Sequence, residues 1–197
     1  IKNKFIWSSC PERGLLILLT MWHKIIDKLP DATLDICSYV EFPRNEEDTK
    51  MLEIVNQYDS ITYHGKINSY ELYRLMSNSE VWLYTNISPE TSCITAMELL
   101  MSEVVCLYYP LGGLMDTLGD YGIPVTHGEE IETILNLSTK KKELLRENGR
   151  EYAMTCSWKN RAEHWTTMLG LYKGRIHQVD NYHYTRNIQF VTYPIDK

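Results

Sequence analysis

The 197-residue sequence has no apolar run near the 18 or so residues that would carry a helix across a bilayer. Its longest strongly apolar stretch, Leu15–Leu19, is soon broken by His23 and Lys24. No signal-peptide pattern opens the chain, so neither a transmembrane nor a secretory segment is expected. Paired cysteines are missing as well. Cys10, Cys37, Cys93, Cys106 and Cys156 are odd in number, scattered and never spaced Cys-x-x-Cys. That argues against both a disulfide framework and a zinc site, and fits a reducing, cytoplasmic setting. Basic runs are scarce: the net charge is −6, and the one cluster, Lys140–Lys142, reads as a solvated helix face. Neither nucleic-acid backbones nor anionic membranes are expected partners. The six histidines have no partners at ligand spacing, so no metal is expected. Ser8-Ser9 lacks the glycines of a nucleophile elbow, which argues against a hydrolase triad. No internal repeat is visible.

What is present is an apolar content of 44%, enough for a sizeable core in one or at most two domains. Strand-like and helical segments alternate. Strands are expected at Lys4–Ser9, Thr33–Tyr39, Ser60–Tyr63, Glu80–Thr85, Val104–Tyr108 and Gly122–Val125. Between them lie helical patterns at Leu15–Leu29, within Asn45–Tyr58, at Ser69–Ser77, at Thr91–Ser102 and after Gly113. In the first of these, Leu15, Leu18, Leu19, Trp22, Ile25, Ile26 and Leu29 make one apolar face. The rhythm predicts a doubly wound, parallel α/β sheet of the Rossmann-like kind. From Glu129 onward only helices are expected, at Glu129–Leu135, Thr139–Thr155 and Trp158–Leu171, the last capped by Ser157. We therefore divide the chain into a domain over 1–171 and an irregular arm or linker over 172–197.

The stretch Ile87–Leu100 organises the rest. It reads as a strand exit, a polar turn and the start of an apolar helix, with Glu90 and Glu98 eight residues apart. Strand candidates on either side make it the crossover of a βαβ unit, so its start lies at the carboxyl edge of the sheet, where such sheets bind ligands. Eight residues span about 8–12 Å, allowing for a loop at one end. Two carboxylates at that separation can each accept hydrogen bonds from a diol, while free helix N–H groups between them suit a diphosphate. The spacing alone is also open to the plainer reading of a polar turn and an amphipathic helix with one solvated glutamate.

The order of motifs resembles the C-terminal, donor-binding domain of GT-B glycosyltransferases, in particular the retaining group called family 4, whose signature is Glu-x7-Glu. Here Glu90 and Glu98 fit it within Pro89-Glu-Thr-Ser-Cys-Ile-Thr-Ala-Met-Glu-Leu. Ser8-Ser-Cys-Pro-Glu-Arg-Gly-Leu-Leu16, Pro30-Asp-Ala-Thr-Leu34, Tyr63-His-Gly-Lys-Ile67 and Gly112-Gly-Leu-Met-Asp116 are similar to family segments in the same order. The resemblance implies transfer of a sugar from a nucleotide-diphosphate sugar to an acceptor hydroxyl, without a metal or other cofactor. It gives Arg13 to the donor diphosphate, where it would stabilise the leaving nucleotide, and counts Ser9, at the end of the first strand, among the donor-binding residues. Glu98 goes to the ribose hydroxyls and Glu90 to the donor sugar near the reacting carbon. Backbone N–H groups of Cys93, Ile94 and Thr95 go to the phosphates and sugar, and Gly65 and Lys66 to the base. Asp116 stands where the family often has Glu, and its role is left open between a ligand and a helix-dipole partner.

Some positions depart from the family. An additional arginine about five residues before the Arg13 position is here Ser8, the glycine-rich turn after the second strand is Ser38-Tyr39, and the glycine after the Glu-x7-Glu helix is replaced by Ser102-Glu103. The first strand already matches the donor domain, so these residues are expected to form the donor half of an enzyme whose acceptor-binding N-terminal domain is missing, with the acceptor itself unspecified. Two other classes stay open: a non-catalytic nucleotide-sugar-binding module and a GT-B-like nucleotide-sugar epimerase. His64 borders the proposed base site, but a strand-end histidine satisfied by backbone is the expected reading.

Overall fold

A computed structural model describes residues 1–40 and 43–170. Residues 1–157 form one compact unit built on six parallel strands: β1 (Lys4–Ser8), β2 (Thr33–Cys37), β3 (Ile61–Gly65), β4 (Val81–Tyr84), β5 (Val105–Tyr108) and β6 (Ile123–Pro124). They lie in the order β3-β2-β1-β4-β5-β6. The chain thus winds outward from β1 to β3, crosses back to β4 beside β1, and winds outward again. This is the expected doubly wound, Rossmann-like sheet, and its switch point lies between β1 and β4.

The helices are α1 (Leu15–Lys28), α2 (Glu46–Val55), α3 (Ser69–Ser77), α4 (Ile94–Met101), α5 (Leu114–Leu118), α6 (Glu130–Asn136) and α7 (Thr139–Thr155). A second unit begins at Trp158 with helix α8 (Trp158–Met168). The expected irregular arm over 172–197 lies outside the described residues.

The strands β1, β4 and β5 are buried on both faces, which is why they read as continuous apolar runs without alternation. Aromatic rings fill the centre. Trp82 stacks on Tyr84 with centroids 4.4 Å apart, and Phe5 meets Trp22 of α1 edge-on at 5.5 Å. Helix α4 buries Thr95, Ala96, Leu99 and Leu100, and α7 runs against it with Gly149 at Leu100, where a Cβ would come within 2.9 Å of the leucine Cδ2. Cover from the sheet and from α7 explains why α4 has little polar surface to show in its sequence.

Three element boundaries differ from expectation for a local reason. Helix α4 starts at Ile94 instead of Thr91, because residues 88–93 form a loop whose backbone is taken up elsewhere: Glu90 bridges to Gly112, and the Gly113 N–H donates to the Glu90 carbonyl at 2.5 Å. Strand β2 ends at Cys37, past which the Ser38 N–H still bonds the Gly65 carbonyl while Tyr39 turns away. That same pairing of Cys37 with Gly65 carries β3 two residues beyond Tyr63.

Candidate functional site

The loops that follow β1 and β4 meet above the switch point. Gly14 opens α1 in the left-handed region (φ 96°), and its own carbonyl accepts the Thr85 hydroxyl at 2.7 Å. A Cβ on Gly14 would lie 2.1 Å from the Thr85 carbonyl oxygen, so only glycine allows this approach. The contact brings Arg13, at the end of the first loop, against Glu90 in the other.

Glu90 is the hub. One of its carboxylate oxygens accepts from the Tyr84 hydroxyl at 2.7 Å, from the Arg13 guanidinium at 3.1 Å and from the Asn86 amide at 3.2 Å. The other oxygen is not engaged by these donors. Tyr84 is fully buried at the end of β4, and its hydroxyl also lies 3.4 Å from Ser9 Oγ. Burial holds that phenol far above its ordinary range, and the Glu90 charge adds to the shift, so it stays a proton donor at any physiological pH. The Glu90 backbone is clamped from the other side by Gly112 and Gly113. A Cβ on either would meet the Glu90 or Thr91 carbonyl oxygen within 2.5 Å.

Glu98, one turn into α4, belongs to a second cluster, where the Tyr73 hydroxyl of α3 donates to it at 2.9 Å. Between the two clusters, the Tyr39 hydroxyl lies 2.6 Å from Thr95 Oγ1 in the first turn of α4. Cys93, immediately before α4, is buried, and burial pushes its thiol up to about 11, so it is no thiolate nucleophile. Ile94 is exposed. Gly65 has φ 67°, and a Cβ there would make only ordinary van der Waals contact with the Tyr63 ring, so its conformation and not close packing calls for glycine. Lys66 beside it is exposed.

The structure therefore brings together Ser9, Arg13 and Glu90, sets Thr95 and Glu98 on α4 alongside, and leaves Gly65 and Lys66 at the end of β3. Asp116 is exposed in the first turn of α5. His64 is satisfied by a side chain, not by backbone: its Nε2 lies 2.7 Å from Asp35, whose other oxygen is 2.7 Å from Lys4 Nζ. Tyr39, Tyr73, Tyr84 and Asn86 were not picked out as site residues from the sequence. Tyr84 and Asn86 carry a faint signal, being polar-tipped groups at the exit of an apolar strand; Tyr39 is marked only as a departure from the family's glycine turn, and Tyr73 carries no signal. Arg44 also reaches the region, but it is held by Glu12 at 2.8 Å and by Asp48 at 2.8 Å. Among the described residues no three His, Cys, Asp or Glu side chains are grouped so as to hold a metal ion, and no helix is long and apolar enough to cross a membrane. A surface hollow lined by Ile1, Lys2, Glu80 and Arg146 lies at the opposite, amino edge of the sheet and takes no part in this arrangement.

A doubly wound parallel sheet with polar side chains from two βα loops meeting above its switch point defines a Rossmann-like architecture. Known structures share it. The chain is similar to the pneumococcal O-GlcNAc transferase GtfA, solved with UDP and GlcNAc, at 20% identity and a TM-score of 0.65 over 86% of this chain and 36% of that one. It is similar to HepE from Anabaena, solved with UDP-glucose, at 16% identity and a TM-score of 0.65 over 85% of this chain and 49% of that one. TarM matches at 14% identity and a TM-score of 0.66, over 88% of this chain and 35% of that one. The chain thus has a glycosyltransferase fold and spans about a third to a half of the length of these proteins. No protein-family model matches the sequence, and a search of curated proteins finds no match.

Proposed function

We propose that these residues are the donor-binding, C-terminal domain of a retaining GT-B glycosyltransferase of the Glu-x7-Glu group, family 4, using a nucleotide-diphosphate sugar. The observation that carries the reading is the meeting of Arg13 and Glu90 from two βα loops above the switch point, with Glu98 further along the same helix that follows Glu90. Proteins of the same fold solved with UDP and GlcNAc and with UDP-glucose support it.

In this reading the diphosphate lies at the start of α4, where helix N–H groups and the Arg13 guanidinium offset the charge that grows as the glycosidic bond breaks. Glu90 holds donor-sugar hydroxyls with the oxygen that Tyr84, Arg13 and Asn86 leave open, and Glu98 holds the ribose. The base lies toward Gly65 and Lys66. The donor's own phosphate takes the proton of the incoming acceptor hydroxyl, so the chemistry calls for no metal. A facing acceptor-binding domain orients that hydroxyl, and without it the proximity contribution, up to about 7–11 kcal/mol in favourable cases, is lost. The reading places the enzyme in the cytoplasm, in keeping with the odd number and wide scatter of its five cysteines.

The test is calorimetric titration of the chain with nucleoside diphosphates and their sugars, supported by thermal shift, where a ligand at a hundredfold over its Kd adds about 2.7 kcal/mol. Product analysis with candidate acceptors then compares this chain with a longer native product. Absence of any nucleotide binding would overturn the reading. Efficient transfer by these residues alone would overturn the half-enzyme part of it, and interconversion of a free nucleotide sugar would make it an epimerase instead.

A further inference from the structure

Among the described residues, the proposed site has little positive charge to offer a diphosphate. Arg13 is shared with Glu90, and Arg44 is taken up by Glu12 and Asp48. Glu90, Glu98 and Glu12 line the same region. A ligand with two or three negative charges therefore needs donors that bring no cation.

A set of hydroxyls stands where those donors are needed. Tyr39 leaves the end of β2 and its side chain crosses the carboxyl edge of the sheet to reach α4, where its hydroxyl lies 2.6 Å from Thr95 Oγ1. Thr95 is buried in the first turn of that helix. The Tyr39 residue itself is 49% exposed, so the ring faces solvent while its tip reaches inward. When two hydroxyls bond each other, one hydrogen is used between them and the other remains to be donated onward. The pair sits between the Glu90 cluster and the Glu98 cluster, the interval that the diphosphate spans in the reading above.

We propose that the Tyr39–Thr95 hydroxyl pair is a neutral diphosphate-binding element, and that Tyr39 is a phosphate-contacting residue of this site. The inference rests on the donor-domain reading and adds to it a residue and a mode of recognition. Uncharged donors at a site rich in carboxylates bind the doubly charged diester of a nucleotide sugar with less penalty than the more highly charged free diphosphate, which favours release of the nucleotide after transfer.

The test compares the wild-type chain with Tyr39→Phe, Thr95→Val and the double variant by calorimetry. The probes are uridine, guanosine and adenosine diphosphates and the corresponding nucleosides. Tyr39→Phe keeps the ring and removes only the hydroxyl, and a thermal melt of each unliganded variant reports on folding. The expected result is a loss of about three- to tenfold in affinity for whichever diphosphate the wild type binds, the range of one net hydrogen bond. The matching nucleoside should show no change, and the double variant should lose less than the product of the single losses, because the two hydroxyls act as one unit. Unchanged diphosphate affinity in Tyr39→Phe would overturn the proposal, and so would a gain, which would mean that Tyr39 obstructs the site. An equal loss on nucleoside and diphosphate would reduce Tyr39 to a structural role. A wild type that binds no diphosphate overturns the donor-domain reading itself, and this proposal with it.

Discussion

The Arg13 guanidinium lies 3.1 Å from a carboxylate oxygen of Glu90, joining the loop after β1 to the loop after β4. The pair is partly open, with side chains 38% and 13% exposed, so its own contribution to stability is small. Its importance lies in placement: a cation and a carboxylate from distant parts of the chain converge where a parallel sheet reverses its winding.

Arg13→Ala is expected to weaken nucleoside-diphosphate binding roughly tenfold or more, since a hydrogen bond to a charged group contributes about 1.5–3 kcal/mol. Arg13→Lys should recover only part of this, because an ammonium cannot reproduce the planar fork. Calorimetry giving wild-type affinity for the alanine variant would remove Arg13 from the site.

The two glutamates should separate by ligand. Glu98→Gln is expected to weaken both nucleotide and nucleotide sugar, whereas Glu90→Gln should weaken the sugar-bearing donor and leave the bare nucleotide nearly unaffected. Equal losses on both ligands in both variants would rule out the assignment of one carboxylate to ribose and the other to the transferred sugar.

Gly14→Ala should destabilise the fold by more than the 1–3 kcal/mol of a strained left-handed residue, because its Cβ also runs into the Thr85 carbonyl. Gly128→Ala is the control. That glycine has φ 98°, close to the 96° of Gly14, but nothing within 4 Å of the Cβ position, so it should show backbone strain without the clash. Urea denaturation of the two variants compares them directly, and equal losses would mean that the close approach of the two loops is not rigid.

Acid stability should depend on Glu80, which tethers α7 to the base of the sheet through Lys142 at 2.9 Å and Arg146 at 3.5 Å. Burial raises its pKa most strongly as a single influence, but the Lys142 hydrogen bond, the Asn3 N–H and the two cations together outweigh it and hold the carboxyl below its ordinary 4.5. A depressed folded-state value means that the contribution is present above about pH 4.5 and is lost as pH falls through the lower folded value. Glu80→Gln should remove on the order of 3 kcal/mol at neutral pH. The gap between variant and wild type should narrow in this acid window, and melting curves that stay parallel down to pH 3 would count against it.

The doubly wound sheet was legible because its central strands are buried on both faces and its helices on one, so continuous apolar runs alternate with a period near 3.6. Glu90 and Glu98 were legible by spacing, and Arg13 by its place after the first strand. What the residue order does not encode locally is which side chains meet. Tyr84 reads as one more core aromatic until the β4 exit turns its hydroxyl toward Glu90, and Tyr39 reads as a departure from a glycine turn until α4 is placed across from it. The start of α4 was misread for the same reason: Thr91–Cys93 have ordinary helix-start composition, and only pairing with Gly112 and Gly113, brought near by the packing of β5 beside β4, holds them as a loop. Periodicity is a property of neighbours along the chain, so sequence alone determined the elements and their succession along the chain. The convergence of Ser9, Arg13, Tyr84 and Glu90, and of Tyr39 with Thr95, was decided only by tertiary structure, because parallel strands joined by crossover helices bring loops far apart in sequence to one edge.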